Sequence, residues 1–580
     1  MQHPEISWRL RLVDPDVVAR LTFELGITPL LARMLVGRGV TDVEAARRYL
    51  GHAPYELDPW ALPGIEKAAH RLVAALDSGE PVVVYGDYDA DGVTSTSLLF
   101  GYLARAGYNA HYFLPHRFED GYGMNRHALQ DLANRGLKLV VTVDNGVASV
   151  DEVAFANSLG MEVIVTDHHT PPEILPAPFA LINPRLGGCP PEMAGLAGVG
   201  VAYTLACALE QLAPSGGVED LLDLVAIGSI ADMAPLTGVN RTLVGRGIHQ
   251  MATAPRPGLQ ALAEVAGINS LAAINASDIG FRIGPRINAA GRMDHPEVGL
   301  KLFLAETLED AQDFALELDR LNRLRQETSK QAEAEARMLV ETEVDLEREA
   351  AIVLAHDGWH HGVIGIVASR LVELYGRPVI LFSSEGDLWK GSGRSPEPVN
   401  LFQALEATRE HLLRWGGHAQ AAGVTLNKAN LDAFKVALDA AIRAQGVDTT
   451  VRPPRMVDAE VSLADVTPRA IRELAWLQPT GQGNPEPVLA IRDVAVVRQK
   501  LRGKERKHLF LELRDGLEIR EAVGFNMGHH HPVPEHVGLA FTPEFNYFQG
   551  QLKVQLRLHG VGEPGMFEDP EQANCLAPGV

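Results

Sequence analysis

Between residues 80 and 185, short apolar runs alternate with longer segments whose apolar residues recur at helical spacing. The apolar runs, which indicate strands, are PVVVYGD, NAHYFLP, LKLVVTVD, MEVIVTD and FALINP. The segments between them, such as TSTSLLFGYLARAG, indicate helices. Because such alternation is typical of βαβ units, the sequence predicts an α/β domain built on a parallel sheet.

The pattern changes again further along the chain. Residues 300–350 contain no Gly or Pro and predict one long helix, or two, connecting domains. A coiled-coil dimer arm is the alternative, but the apolar seam fades after Leu324. Residues 351–450 return to α/β character, and five short strands within 451–562 predict a small β-barrel of the OB type.

These changes, and a length of 580 residues, predict several separate cores. The expected parts are an N-terminal helical segment (1–60), a catalytic α/β domain (61–299), a connecting helix (300–350), a second α/β domain (351–450), an OB-like domain (451–562) and a flexible tail (563–580).

Composition limits the class of protein. The net charge of −22 disfavours nucleic acid as a partner when taken alone, although a basic channel inside an acidic shell remains an alternative. We find no apolar run of bilayer length and no signal-peptide pattern. Three widely separated cysteines predict neither a disulfide framework nor a thiolate zinc site and favour the cytoplasm.

Acidic residues follow three of the predicted strands directly. The strand ends read GDYDADG (86–92), DNG (144–146) and DHH (167–169), and Asp232 follows a further apolar segment. Ligands of open parallel sheets bind outside the carboxyl ends of the strands, so these side chains are expected to converge.

Converging carboxylates repel one another unless a cation neutralises them. Oxygen ligands with a few imidazoles suit Mn²⁺ or Mg²⁺, and two such ions can promote phosphoryl transfer. The alternative for any one strand-end Asp is a helix N-cap. For the whole set, together with His168 and His169, the sequence favours a metal centre.

The order of these motifs resembles the DHH superfamily of phosphoesterases, and within it the 5′→3′ exonucleases specific for single-stranded DNA. The resemblance is carried by YGDYDADGVT (85–94), TVDNG (142–146), DHH (167–169) and ADM (231–233). It extends through IGFRIGPRINAAGRM (279–293) and, in a DHHA1-like second domain, WHHGVIGIVA (359–368), KGSGRS (390–395) and GGH (416–418).

The resemblance implies a role for each site residue. Asp91, Asp144, His168 and Asp232 would hold one metal ion, Asp89 and Asp144 would hold a second, and His169 would contact the scissile phosphate. Related enzymes carry a metal-binding His at the position of Tyr85, and Asp87 is the candidate substitute here.

Basic residues suggest the path of the substrate. Arg117, Arg282, Arg286, Asn288, Ser392 and Arg394 are candidate phosphate contacts, with KGSGRS as a pocket for a 5′ phosphate or, alternatively, a solvated turn. In the barrel, Arg498, Lys500, Arg502, Lys504, Arg506 and Lys507 form a basic run. Most barrel aromatics are expected to face the core, and His529–His531 receive no role.

The resulting hypothesis is a metal-dependent exonuclease that releases 5′-mononucleotides in DNA repair and recombination. The alternatives are a DHH enzyme for short oligonucleotides or cyclic dinucleotides, and a non-catalytic DNA-binding scaffold. The long connector and basic barrel disfavour the first alternative, and the complete ligand set disfavours the second. The resemblance implies a single-strand-binding protein and a RecQ-type helicase as partners, and we expect a monomer.

Overall fold

The structure is a computed structural model that describes residues 7–121, 123–447, 454–503, 505–548 and 551–568. Its first elements are β1 (Trp8–Leu10), α1 (Pro15–Leu25), α2 (Pro29–Gly37) and α3 (Val43–Tyr49). Each helix begins after a polar residue, Asp14, Thr28 or Asp42, whose side chain accepts hydrogen bonds from first-turn amides.

The first α/β domain contains the parallel sheet that the alternating pattern predicted. Its elements are α4 (Ile65–Ser78), β2 (Val82–Tyr85), α5 (Ala90–Arg105), β3 (Ala110–Phe113), α6 (Arg126–Asn134), β4 (Leu139–Val143), α7 (Val150–Ser158), β5 (Glu162–Thr166) and β6 (Ala180–Ile182). The strands pair in parallel in the order β3-β2-β4-β5-β6. All five predicted strands are therefore confirmed.

Both faces of this sheet are covered, which explains why the inner strands β2 and β4 are buried throughout and almost continuously apolar. Val82 and Val84 of β2 pack into the large core formed with α5, whereas Val83 and Tyr85 pack into the smaller core beside α6 and α7. Side chains alternate across a strand, so each strand contributes to both cores.

A group of helices continues the domain on the α5 side. They are α8 (Gly198–Leu212), α9 (Leu222–Ala231), α10 (Gly238–Thr253), α11 (Pro257–Val265), α12 (Ala276–Asp278), α13 (Gly284–Met293), α14 (Glu297–Leu304) and α15 (Leu308–Glu343). One π-helical turn, Ile279–Ile283, joins α12 to α13. The stretch predicted as one helix or two is two, with the 36-residue α15 as the connector.

The second α/β domain contains β7 (Ile352–His356), α16 (His361–Tyr375), β8 (Val379–Glu385), β9 (Leu388–Arg394), α17 (Leu401–Ala407), β10 (Arg414–Gly417), β11 (Ala421–Asn427) and α18 (Leu431–Arg443). Its sheet order is β10-β11-β9-β8-β7, with only β7 and β8 parallel.

All of the KGSGRS segment except Ser395 lies in the central strand β9, where a solvated turn was the alternative. Its glycines are required by packing, because a Cβ on Gly391 would lie 2.5 Å from Phe382 and one on Gly393 would lie 2.7 Å from Leu401.

The last domain is a closed barrel. The elements from β12 onward are β12 (Arg455–Val457), β13 (Ala459–Glu460), α19 (Pro468–Leu474), β14 (Leu489–Arg502), β15 (His508–Asp515), β16 (Glu518–Gly524), β17 (His536–Phe548), β18 (Gln551–Gly562) and β19 (Phe567–Glu568). The long strand β14 pairs with β15 and also with β17, which closes the ring of five predicted strands. The predicted barrel is confirmed.

The N-terminal helices share their core with this barrel. Leu21 and Leu31 belong to the same buried cluster as Leu489 and Phe541. Strand β1 lies between β12 and β19 in a three-stranded parallel sheet, so the start of the tail expected to be flexible is paired. Residues 569–580 of that tail lie outside the described residues.

Two further predictions concern membrane-spanning segments and the cysteines. No helix within the described residues is both long and apolar enough to cross a membrane. Cys189 and Cys207 are free thiols, and Cys575 falls outside the part of the chain that the structure describes.

Two glycines of α10 provide a matched test of helix packing. A Cβ on Gly247 would overlap the Leu222 carbonyl oxygen, whereas a Cβ on Gly245 would meet nothing closer than 3.9 Å. We expect Gly247→Ala to lower the melting temperature by calorimetry. Gly245→Ala should raise stability by up to about 1 kcal/mol, the gain in helix propensity. Equal effects of both substitutions would contradict this packing.

Candidate metal-dependent active site

The acidic strand ends meet at one edge of the parallel sheet. Strands β2, β4 and β5 are neighbours, and Asp87, Asp144 and Asp167 follow their carboxyl ends. All three side chains are buried. Asp144 has a φ of 63°, a left-handed conformation that turns the chain sharply after β4.

Two further aspartates stand at the start of α5. Asp89 is the N-cap, and its Oδ1 accepts hydrogen bonds of 3.0 Å from the amides of Asp91 and Gly92. A Cβ at position 92 would lie 2.6 Å from the Asp87 carbonyl oxygen, so glycine is required there. The N-cap alternative is therefore correct for Asp89, which does not remove it from the acidic cluster.

A second helix begins at the same place. The carboxylate of Asp91 accepts hydrogen bonds from the amides of Gly198 (2.7 Å) and Val199 (2.9 Å) in the first turn of α8. A Cβ at position 198 would lie 2.7 Å from Asp144 Oδ1. The N-termini of α5 and α8 thus point at the carboxylates, where their partial positive charge is favourable.

The paired histidines have different environments. His168 Nε2 lies 3.0 Å from Asp144, 3.6 Å from Asp91 and 3.7 Å from Asp232, and its side chain is 9% exposed. The side chain of His169 is 37% exposed and faces outward. His168 therefore lies inside the acidic cluster, whereas His169 lies at its more exposed rim.

Asp167 orients the outer histidine. Its Oδ1 lies 2.8 Å from His169 Nδ1 and accepts from the backbone amides of both histidines, while its Oδ2 accepts from the Val147 amide. The bond at Nδ1 directs Nε2 of His169 away from Asp167. Such a carboxylate partner fixes both the tautomer and the ring orientation.

Asp232 completes the cluster from the C-terminal end of α9. It stands opposite the strand ends, on a helix, and its carboxylate is more accessible than that of Asp91 or Asp144. The apolar segment before it is helical, as its pattern predicted.

Burial and mutual repulsion dominate the electrostatics. Burial, followed by the charge of Asp89, raises the pKa of Asp91 to about 7 and raises that of Asp87 well above its usual range. Burial, with Asp91 and Asp89, raises the pKa of Asp232 to about 8. Without a cation, these carboxylates cannot all be ionised cheaply.

The histidines shift in opposite directions. Burial lowers the pKa of His168 to about 3, so its imidazole is neutral and available as a ligand. Burial alone would also lower the pKa of His169, but the hydrogen bond and charge of Asp167, with Asp89, raise it to about 9.

The ligand atoms form three overlapping groups, each within 4.8 Å. They are Asp91, His168 and Asp232; Asp144, His168 and His169; and Asp87, Asp89 and Asp144. Buried atoms Asp87 Oδ1, Asp144 Oδ1 and His168 Nε2 have no hydrogen-bond partner among the described residues. Carboxylate oxygens with one or two imidazoles suit Mn²⁺ or Mg²⁺.

Tyr85 does not take the place of a metal-binding histidine. Its ring packs against Phe113 in the core on the far face of the sheet, and its hydroxyl donates to the Gly123 carbonyl and accepts from Asn125. The group that includes Asp87 and Asp89 is built from carboxylates alone.

A cleft of about 240 Å³ opens onto the carboxylates. It is lined by Asp87, Tyr88, Asp89, Ala90, Asp91, Arg117, Ala231, Asp232, Asn288 and Arg292. Arg117 stacks on the Tyr88 ring with its Cζ 4.7 Å from the centroid, and Asn288 accepts from the Ala90 amide. Two arginine side chains therefore line the same cleft as the acidic cluster.

Arg394 joins Arg117 and Arg292 from the second α/β domain. Its guanidinium lies against Gly365 of α16, and its Nη1 donates to Ser392 Oγ (3.2 Å) and the Gly393 carbonyl. Burial, then repulsion from Arg117 and Arg394, lowers the pKa of Arg292 to about 10. Within the described residues, none of these three arginines forms an ion pair with a carboxylate.

Two predicted phosphate contacts lie elsewhere. Arg282 donates to the carbonyls of Ala266 and Gly267 just past α11, and Arg286 pairs with Asp319 of α15 at 2.9 Å. Neither lines the cleft. Their guanidinium groups are committed to helix packing, where the sequence predicted phosphate contacts.

The barrel presents a basic face. Arg498, Lys500 and Arg502 alternate along β14 on the side opposite to Leu501, which packs toward the barrel core. Arg502 lies over the ring of Phe510, 4.2 Å from its centroid. We call Arg498, Lys500, Arg502 and Phe510 the basic face.

Other members of the predicted run occupy the following turn. Arg506 and Lys507 lie there, with Lys507 paired to Glu505, and Lys504 is outside the described residues. Phe541 is buried and Phe525 is 57% exposed beside His508. The side chains of Tyr547 and Phe548 also fall outside the described part.

Sequence reasoning missed several site residues. Arg292 and Tyr88 line the cleft, and Asn145 supports it, whereas Asp167 was expected in the cluster but without its role of orienting His169. Asn145 donates to the carbonyls of Tyr85, Gly86 and Val143, which ties the β2 and β4 ends together. Each stands inside a motif already noted, but its role depends on side-chain direction.

The fold and the carboxylate centre define the class of protein. The profile of the DHH family N-terminal domain matches residues 81–229, that of the DHHA1 domain matches 348–444, and that of the RecJ OB domain matches 457–560. These matches and the metal-ligand groups place the chain among the metal-dependent DHH phosphoesterases.

Whole-chain comparisons narrow this further. The single-stranded-DNA-specific exonuclease RecJ of Escherichia coli is 37% identical over 95% of this chain and 99% of its own length. The Bacillus subtilis RecJ is 36% identical over 90% of this chain, which spans 66% of that protein. The chain belongs to the RecJ family of single-stranded-DNA-specific exonucleases.

Solved structures agree with this assignment. RecJ of Thermus thermophilus in complex with Mn²⁺ has a TM-score of 0.85 at 32% identity, covering 98% of this chain and 81% of that one. Its complex with Mg²⁺ has a TM-score of 0.78 at 31% identity, covering 97% and 79%. Metal dependence by Mn²⁺ or Mg²⁺ thus agrees with the ligand groups found here.

Asp144→Asn is expected to abolish metal binding yet stabilise the metal-free protein. It removes one buried, repelling carboxylate, and Asn tolerates the left-handed φ. Mn²⁺ at about 100 times its Kd should stabilise the unsubstituted protein by about 3 kcal/mol. Scanning fluorimetry with and without Mn²⁺ should show no such shift for the variant.

Asp223→Asn is the matched control, because Asp223 is equally buried but is bound by Arg256 outside the cluster. It should lower the melting temperature and keep the Mn²⁺ shift. An Asp144→Asn variant that still responds to Mn²⁺ would contradict the assignment.

Proposed function

We propose that this exonuclease degrades single-stranded DNA in the 5′→3′ direction and releases 5′-mononucleotides. The 5′→3′ direction is inferred from the convergence of Arg117, Arg292 and Arg394 beside the carboxylate centre. No carboxylate of the described residues forms an ion pair with these arginines. A terminal phosphate carries up to two negative charges near neutral pH, more than a bridging phosphodiester. Three arginines therefore suit a strand terminus.

We propose that the cluster holds two divalent ions, one at Asp91, Asp144, His168 and Asp232 and one at Asp87, Asp89 and Asp144. When bound, such ions activate water and stabilise the charge that develops on a transferring phosphoryl group. Asp144 belongs to the ligand group with Asp87 and Asp89, and its Oδ1 also lies 3.0 Å from His168 Nε2, which supports its role as the shared ligand.

The remaining residues bind and orient the substrate. His169, whose Nδ1 is held by Asp167, donates from Nε2 to the scissile phosphate. Asn288 holds the α5 N-terminus in place through the Ala90 amide. Arg117 and Arg292 contact the phosphates in the cleft, and Ser392 and Arg394 contact the terminal phosphate.

The basic face of the barrel is proposed to hold the strand behind the cleft. Cationic side chains alternate on one side of β14, beside a partly exposed aromatic ring. Basic grooves with stacking aromatics are a common way to bind single strands without sequence preference. This local arrangement supports DNA binding in spite of the net charge of −22.

We also propose that the enzyme acts in cytoplasmic DNA repair and recombination as a monomer, with a single-strand-binding protein and a RecQ-type helicase as partners. These proposals rest on the family resemblance. Co-purification of the full chain with either purified partner, and its mass by light scattering, would test them. We further propose that the domains have the limits expected from the sequence, with the catalytic domain at 61–299 and the OB-like domain at 451–562.

Labelled substrates test the polarity. With Mn²⁺ and a single strand of several tens of nucleotides, we expect early release of label from the 5′ end and late release from the 3′ end. Duplex DNA should resist, and Asp144→Asn should release neither label. Early mononucleotide release from the 3′ end would refute the proposed direction.

Arg394→Gln tests the terminal phosphate pocket. Because a charge-assisted hydrogen bond contributes about 1.5–3 kcal/mol, the variant should lose about tenfold to a hundredfold of the kcat/KM preference for 5′-phosphorylated over 5′-hydroxyl strands. The matched control is Arg370→Gln on α16. Arg370 is an exposed ion-pair partner of Glu333, and this variant should keep the preference. An unchanged preference in Arg394→Gln would exclude this pocket.

A further inference from the structure

Arg241 of α10 is buried at a joint between three parts of the chain. Its Nε donates to the Tyr49 carbonyl (2.9 Å), its Nη1 to the carbonyls of Leu477 (3.0 Å) and Pro479 (3.1 Å), and its Nη2 to those of Trp476 (3.0 Å) and Gln478 (2.8 Å). The side chain also stacks on the Tyr49 ring, with its Cζ 4.3 Å from the centroid.

All donors of this guanidinium are used. Arginine has five N–H groups, and five carbonyl oxygens accept from them. No carboxylate among the described residues pairs with Arg241. Burying a cation against neutral acceptors is costly, so this arrangement contributes directional geometry rather than simple charge pairing.

The partner segment, residues 476–484, is the docking segment. It connects α19 to β14, the strand that carries the basic face. Its Gln482 carbonyl accepts from the Leu236 amide (2.8 Å), in the loop between Asp232 and α10. Its Asn484 donates to the Leu477 and Pro479 carbonyls and accepts from Arg38.

The joint therefore links the helix that follows Asp232 to the strand that carries the basic face. Arg241 does not line the cleft. A change at Arg241 removes no residue of the cleft but removes four hydrogen bonds that hold the docking segment to α10.

We propose that Arg241 is a positioning residue for long substrates. By holding the docking segment, it sets the orientation of the basic face so that a strand bound there enters the cleft. The inference rests on the proposed DNA-binding role of the basic face. A substrate too short to reach the barrel does not depend on Arg241.

The test compares two substrates and two variants of the full chain. Arg241→Gln is measured beside a control on the same helix, Arg246→Gln. Arg246 is an exposed ion-pair partner of Glu219. With Mn²⁺, KM and kcat are determined for a strand of several tens of nucleotides and for a dinucleotide. Arg241→Gln should raise KM for the long strand about tenfold, leave kcat unchanged, and leave both dinucleotide constants unchanged. Arg246→Gln should change neither substrate.

A third variant separates positioning from local stability. Arg498→Glu combined with Lys500→Glu removes the basic face, and adding Arg241→Gln to it should raise the long-strand KM no further. Additive losses, or an equal loss on the dinucleotide, would overturn the proposal. If Arg241→Gln does not fold, Arg241→Lys, which keeps the charge but not the fork, takes its place.

The measurements distinguish failure of the positioning role of Arg241 from failure of the DNA-binding role of the barrel. If the basic-face variant loses long-strand binding and Arg241→Gln does not, the positioning role alone is refuted. If the basic-face variant keeps full long-strand binding, the DNA-binding role of the barrel is refuted and the positioning role with it.

Discussion

Repulsion among buried carboxylates at the edge of the parallel sheet is the constraint on which the rest of the site depends. The fold concentrates Asp87, Asp91 and Asp144 where water is scarce, and their pKa values rise accordingly. The N-termini of α5 and α8 and a neutral His168 reduce the cost but do not remove it. The site is therefore built for cations, and the metal-free protein carries strain that ligand binding relieves.

The opposite charge lies immediately outside this centre. Arg117 and Arg292 line the same cleft as the carboxylates, and Arg394 approaches from the second α/β domain. Side chains that attract phosphate and a centre that needs cations are thereby placed side by side. The overall charge of −22 gives no sign of this order, because net charge averages over a surface that is sharply divided.

The architecture also joins distant parts of the chain. The N-terminal helices complete the core of the barrel, and β1 pairs with both β12 and β19. The docking segment then fixes that unit to α10 through Arg241. Directional hydrogen bonds of this kind set the orientation of one unit against another better than apolar contacts do.

The sequence by itself determined the sheet, the barrel, the connector and the acidic cluster, because strand periodicity and strand-end aspartates are local signals that topology converts into proximity. It did not separate Arg282 and Arg286, which pack helices, from Arg292, which lines the cleft. It left KGSGRS open between a phosphate pocket and a solvated turn, and only the structure shows that the segment is a central strand and not a turn. The direction of a long side chain, the pairing of the N-terminus with the barrel and the joint at Arg241 were decided only by tertiary packing, since the partners lie far apart in the chain.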